Sequence, residues 1–207
     1  MEFIDGIFYI VVLIMSIVIH EVAHGYSAHL LGDDTARLNG RLTLNPIKHL
    51  DPFGSVILPL LLFISTKGTF LIGWAKPVPY NPLNLRKGRW GNIIVAISGI
   101  VANLLIAIIF GLLIRFAPVL GLANESFFKI SSIIVLLNLV LAIFNLIPIP
   151  PLDGSKVLFS FLPIKYRYIE NFLEKWGMFL LIIFIIFLWD KVAPVIYLAF
   201  SFITGLS

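Results

Sequence analysis

The chain has 207 residues, of which 59% are hydrophobic and 13% charged, with a net charge of +4 and a mean hydropathy of +1.02. A soluble domain lies near 45–50% apolar and about 25% charged, so this composition excludes an ordinary soluble fold and points to a polytopic, all-α membrane protein. Cysteine is absent, which excludes disulfides, thiolate metal sites and thiol nucleophiles, and the small positive charge reflects loops beside a bilayer rather than a nucleic-acid partner.

Apolar runs of spanning length are Gly6–Leu31, Trp90–Phe116, Phe127–Ile147 and Phe172–Trp189. Two shorter ones, Pro52–Ser65 and Val192–Leu206, fall below the roughly 20 residues that cross a bilayer upright. About five to six membrane helices are therefore expected, in one integral-membrane domain over 1–207. Its catalytic core would cover about 6–156 and C-terminal helices about 168–206. The N-terminus, "MEFIDG", lacks the basic start of a signal peptide, and the first helix is expected to be retained.

That helix ends in "IVIHEVAHGYSAH", residues 17–29. His20 and His24 are four apart and project from one helical face, a spacing that lets two imidazoles bind one metal ion. Glu21 is next to His20 without competing as a ligand. This is H-E-x-x-H, whose chemistry is zinc-activated water with the glutamate as general base. Ionisable groups within a membrane helix are costly and mark function. His29 stands about 140° round the helix from His24 and is expected, like His49, at the cytosolic interface.

Arg37, Arg41 and Lys48 follow the first helix; Arg86, Lys87 and Arg89 precede the second; Lys156, Lys165, Arg167 and Lys175 follow Asp153. The positive-inside rule places these in the cytosol and the N-terminus outside. Since helix 1 ends inside and the Trp90 helix starts inside, the segment around 52–82 must enter the membrane and return. Pro77, Pro79 and Pro82 favour extended backbone on the way back, which survives at membrane depth only against protein or a wet cavity. Trp74 and Tyr80 are expected as interfacial anchors.

Farther along, "FNLIPIPPLDGSK", residues 144–156, closes an apolar helix with three prolines and ends in Asp153–Gly154. By local sequence Asp153 is either a helix cap or a ligand. Beside HEVAH in one membrane the ligand reading prevails, because neutral imidazoles, one carboxylate and a bound hydroxide balance the two charges of Zn²⁺, and a neutral cluster avoids most of the penalty of isolated buried charge. Two asparagines, Asn103 and Asn145, could donate to a scissile carbonyl or its oxyanion; interhelical hydrogen bonding is the alternative for both.

HEVAH in a membrane helix followed by "NLIPIPPLDG" resembles the site-2 proteases, the intramembrane zinc metalloproteases of peptidase family M50. "SGIVANLLIA" is similar to that family's Gly-x-x-x-Asn helix, with Gly99 and Asn103 in the matching places, and "GWAKPVPYNP" resembles a segment of its short members. Neither a PDZ nor a CBS segment is seen, as in short bacterial-type members. The resemblance covers nearly the whole chain. It implies one Zn²⁺ per chain held by His20, His24 and Asp153, Glu21 as the acid/base, and Asn145 as the asparagine of the Asn-x-x-Pro-x-x-x-Leu-Asp-Gly motif. It further implies cleavage in or near the transmembrane segments of single-span membrane proteins or peptides, by a multi-pass enzyme of the cell membrane with its active site near the cytosolic side. The alternatives from other classes are a divalent-metal transporter, which would show ligands on facing helices and inverted repeats, and a catalytically silent scaffold, which would not need Glu21. The oligomeric state is not legible in the sequence.

Overall fold

A computed structural model describes residues 3–57, 61, 64–65 and 75–206. Its framework is five helices: α1 (Phe3–Leu30), α2 (Arg89–Arg115), α3 (Glu125–Asn145), α4 (Asp153–Phe161) and α5 (Arg167–Thr204). Four of them, α1, α2, α3 and α5, are long and apolar enough to cross a membrane. Among the described residues there is no strand, only an isolated antiparallel bridge between Leu50 and Ala75. The C-terminal stretches Phe172–Trp189 and Val192–Leu206, read separately from the sequence, are one continuous helix with Pro194 inside it. The runs are separated by Asp190–Lys191, and Pro194 lies within the second; a proline removes a single backbone hydrogen bond and kinks a helix, and neither feature ends this one.

The helices form an antiparallel bundle around α2, which packs against α1, α3, α4 and α5. At one end Ala107, Ile114, Val135, Leu139 and Ile196 form a buried apolar cluster. Around its other end the chain is tied by polar contacts. The Arg86 amide donates to the Leu31 carbonyl at 2.7 Å, so the end of α1 and the start of α2 lie side by side. Asp33, fully buried, accepts from the Asn81 amide at 2.7 Å and from Asn84 Nδ2 at 2.9 Å. These bonds supply partners for backbone that no helix or sheet satisfies.

Residues 76–81 are extended after the bridge. The Lys76 amide donates to the His49 carbonyl at 2.8 Å, and the buried Arg41 guanidinium donates to the carbonyls of Lys48, Lys76 and Pro77. Extended backbone there agrees with the proline pattern, and it lies against the protein as it must. Pro52–Ile57 forms a π-helical turn. Most of 58–74, including Trp74 and the deepest part of the expected re-entrant segment, lies outside the described residues.

Candidate metal centre

His20, Glu21 and His24 stand in the last three turns of α1, and helical spacing brings the two histidines onto one face. Asp153 reaches them from the start of α4, 129 residues after His24. Its placement depends on Gly154. A Cβ at that position would run into the carbonyl oxygens of Leu146 and Ile147 at the end of α3, so only glycine lets α4 begin this close to α3.

The Nε2 atoms of His20 and His24 are 3.0 Å apart, and each is 2.9 Å from Asp153 Oδ2. All three residues are buried, at 4–6% exposure. The rest of each ring decides what these atoms are. His20 Nδ1 lies 2.6 Å from Asn103 Oδ1, and His24 Nδ1 lies 2.7 Å from the Val95 carbonyl. Both partners are acceptors, so each Nδ1 carries a proton and donates it. In the neutral rings both Nε2 atoms then present bare lone pairs to one another and to a carboxylate oxygen. Three converging lone pairs repel unless a cation lies between them. Metal-ligating histidines characteristically donate their other N–H in this way. A tetrahedral zinc site with bonds of about 2.0–2.1 Å needs ligand atoms about 3.3 Å apart, a few tenths of an ångström from what is observed. The donor set fits a zinc ion. These three are the group of His, Cys, Asp or Glu side chains among the described residues arranged to hold a metal.

Room for the ion is left by α2. A Cβ on Gly99 would lie 2.6 Å from His24 Nε2 and 2.7 Å from His20 Nε2. The third helix position of the cradle is thus empty because residue 99 has no side chain.

Beside the triad is a cavity of about 170 Å³, lined also by Ile17, Glu21, Pro77, Val78, Tyr80, Leu141, Asn145, Pro151 and Lys156. Glu21 Oε2 accepts from the Val78 amide at 2.8 Å, which holds the carboxylate at the cavity wall. Lys156 Nζ donates to Asp153 Oδ1 at 2.8 Å, so the oxygen turned away from the histidines is already occupied. Burial pushes the Asp153 carboxyl up, and the Lys156 ammonium on its outer oxygen pulls it back down. Burial likewise pushes Lys156 down, and the Asp153 carboxylate more than reverses it, leaving the ammonium above its ordinary value.

Asn145 lines the cavity while its Nδ2 donates to the Leu141 carbonyl at 2.9 Å. Asn103 does not line it. It is fully buried behind His20, with its oxygen on the His20 ring and its nitrogen on Asn138 Oδ1 at 2.8 Å. These contacts tie α2 to α1 and α3. His29 pairs with Asp34, and His49 donates to the Thr43 carbonyl at 2.8 Å, both away from the triad. Sequence reasoning missed Asn138, Lys156 and the backbone groups of Val78 and Val95. A lone amide in "IIVLLNLVLAIF" was the available signal for Asn138; the backbone groups have none.

The model of peptidase family M50 matches residues 121–188, a stretch that includes Asn145 and Asp153. The chain is 40% identical over 190 residues to "Putative zinc metalloprotease YwhC" of Bacillus subtilis, covering 89% of this chain and 80% of that protein. It is 30% identical over 184 residues to "Putative zinc metalloprotease Rip2" of Mycolicibacterium smegmatis, covering 87% and 68%. No solved structure matches it significantly.

Proposed function

Because the chain belongs to peptidase family M50, we propose that it is an intramembrane zinc metalloprotease that hydrolyses peptide bonds in or near the transmembrane segments of single-span membrane proteins. The observation that carries this reading is the convergence of two neutral imidazoles and one carboxylate, with the Glu21 carboxylate on the wall of the same cavity. In this reading His20, His24 and Asp153 hold one zinc ion per chain. The ion supplies Lewis-acid polarisation of water and of the scissile carbonyl. Glu21 takes the proton from the attacking water and returns it to the leaving amine. Lys156 holds the second oxygen of Asp153, which leaves Oδ2, the oxygen facing the histidines, as the one that would hold the ion. Asn145 orients the scissile carbonyl, and Asn103 orients His20. The extended 76–81 segment offers backbone to which an unwound substrate could add as a strand, since a peptide bond within a helix is shielded until it is unwound.

The whole chain acts as one membrane domain in this proposal, with its N-terminus outside and the site near the cytosolic face. Support comes from the side-by-side placement of the end of α1 and the start of α2, which has 52–82 enter and leave on one side, and from the basic residues of that end. Reporters fused within 37–48 and 156–167 are expected to read cytosolic, and one at 120–125 external. A reporter near 40 that reads external would overturn both the orientation and the re-entrant segment.

The function is tested by incubating purified protein with single-span peptides, with and without a chelator. Cleavage should stop with the chelator and return with zinc. Elemental analysis should find about one zinc per chain, lost in His20→Ala, His24→Ala and Asp153→Ala, because each removes one of three protein ligands. Full zinc in Asp153→Ala would strike that residue from the set.

A further inference from the structure

Two buried polar side chains behind His20 have no role in the proposal above: Ser16, one turn before His20 on α1, and Asn138, two turns before Asn145 on α3, at 4% and 0% exposure. Asn138 Nδ2 donates to the Ile134 carbonyl and to Ser16 Oγ, both at 2.9 Å. Its Oδ1 accepts from Asn103 Nδ2 at 2.8 Å. Asn103 Nδ2 also lies 3.4 Å from the Ser16 carbonyl, and Asn103 Oδ1 is 2.6 Å from His20 Nδ1.

A side-chain amide has one donor end and one acceptor end, so each of these contacts dictates the next. The Ile134 carbonyl is backbone and can only accept, which turns the Asn138 nitrogen toward it and the Asn138 oxygen toward Asn103. That oxygen draws the Asn103 nitrogen, and the Asn103 oxygen is left facing His20. His20 must then donate from Nδ1. His24 needs no such chain, because the Val95 carbonyl holds its Nδ1 directly.

We infer that Asn138 is a positioning residue for the metal centre: acting through Asn103, it keeps the His20 proton on Nδ1 and leaves Nε2 free to bind the ion. This rests on the metalloprotease reading. Without Asn138 only the long 3.4 Å contact with the Ser16 carbonyl would hold the Asn103 nitrogen, and the amide could turn end for end. Its nitrogen would then face His20 Nδ1, which can accept only when the proton sits on Nε2, the atom a metal requires. Hydrogen-bond partners that orient a metal-binding histidine are worth about 10–100-fold in metal affinity.

The test uses full-length protein in detergent, with zinc affinity measured by chelator competition and the histidine rings followed by ¹⁵N NMR in the zinc-loaded state. Wild type should show His20 protonated on Nδ1, with that proton protected from exchange, and bound to zinc through Nε2. Asn138→Leu, close in volume and without hydrogen-bonding atoms, should bind zinc about 10–100-fold more weakly and lose that protection. Asn138→Ser, too short to reach Asn103, should do the same and stands in if the leucine variant does not fold. Asn103→Asp in the Asn138→Leu background should recover most of the affinity, because a carboxylate presents an acceptor to His20 whichever way it is turned.

Zinc affinity at the wild-type level in folded Asn138→Leu or Asn138→Ser would overturn the inference, as would weakened binding with the His20 proton still protected, the signature of packing alone. Wild-type His20 ligating through Nδ1 would overturn it without any variant. Wild type that binds no zinc would bring down the metalloprotease reading and this inference together, whereas a bound wild type with unaffected variants brings down this inference alone.

Discussion

Glu21→Gln is expected to fold, insert, bind zinc and capture substrate, yet cleave at least ~10²-fold more slowly than wild type. Positioned acid–base groups contribute typically ~10²–10⁴-fold, and among the described residues no other uncommitted carboxylate lines the cavity. Of the side chains lining the cavity, only Asp153 is another carboxylate, and it is engaged by His20, His24 and Lys156. The fold should survive because a glutamine oxygen can still accept from the Val78 amide that now donates to Glu21 at 2.8 Å. The separation of binding from turnover is what makes the variant informative. Cleavage of a membrane peptide at the wild-type rate would show that the proposed protease mechanism is wrong. Should the wild type never cleave any peptide but carry divalent metal into vesicles, and Glu21→Gln abolish that transport, the transporter reading takes its place.

Gly99→Ala is expected to be nearly as damaging, although it adds only a methyl group. The new carbon would sit 2.6 Å from His20 Cε1 and His24 Nε2. Neither ring can swing aside without breaking the bond its Nδ1 makes, to Asn103 in one case and Val95 in the other. Relief therefore needs displacements approaching 1 Å, beyond the ~0.5 Å within which a catalytic constellation works. We expect zinc affinity to fall about 10–100-fold and cleavage at least ~10²-fold. Gly111→Ala is the control. It lies on the same helix, faces Ile203 rather than the histidines, and should cost about 1–3 kcal/mol of stability through overpacking with zinc binding intact. Wild-type zinc affinity and turnover in Gly99→Ala would mean that the ion does not sit between these rings and α2.

The membrane helices and the chemistry were legible because both are written locally. Apolar runs of spanning length need no partner to be recognised, and H-E-x-x-H places His20, Glu21 and His24 by helical geometry alone. Asp153 could be paired with them only as the other unusual carboxylate in an apolar chain. The continuity of α5 was less legible, since the charged pair Asp190–Lys191 separates its two apolar runs, yet the helix runs through that pair and through Pro194.

By itself the sequence determined the medium, the helical class and the metal-binding residue types, because hydrophobic length and i, i+4 spacing are properties of a single segment. Only the tertiary structure decided how the site is completed. It brought Asp153 onto the histidines through the close approach at Gly154, kept the space opposite Gly99 open, turned Glu21 onto the Val78 amide, and put Asn103 behind His20 instead of in the cavity. Each of these depends on a donor, an acceptor or a missing side chain contributed by another helix or loop. Hydrogen bonds and close contacts between elements far apart in the chain leave no periodicity in the sequence, whereas in the folded bundle they decide which lone pairs face the metal.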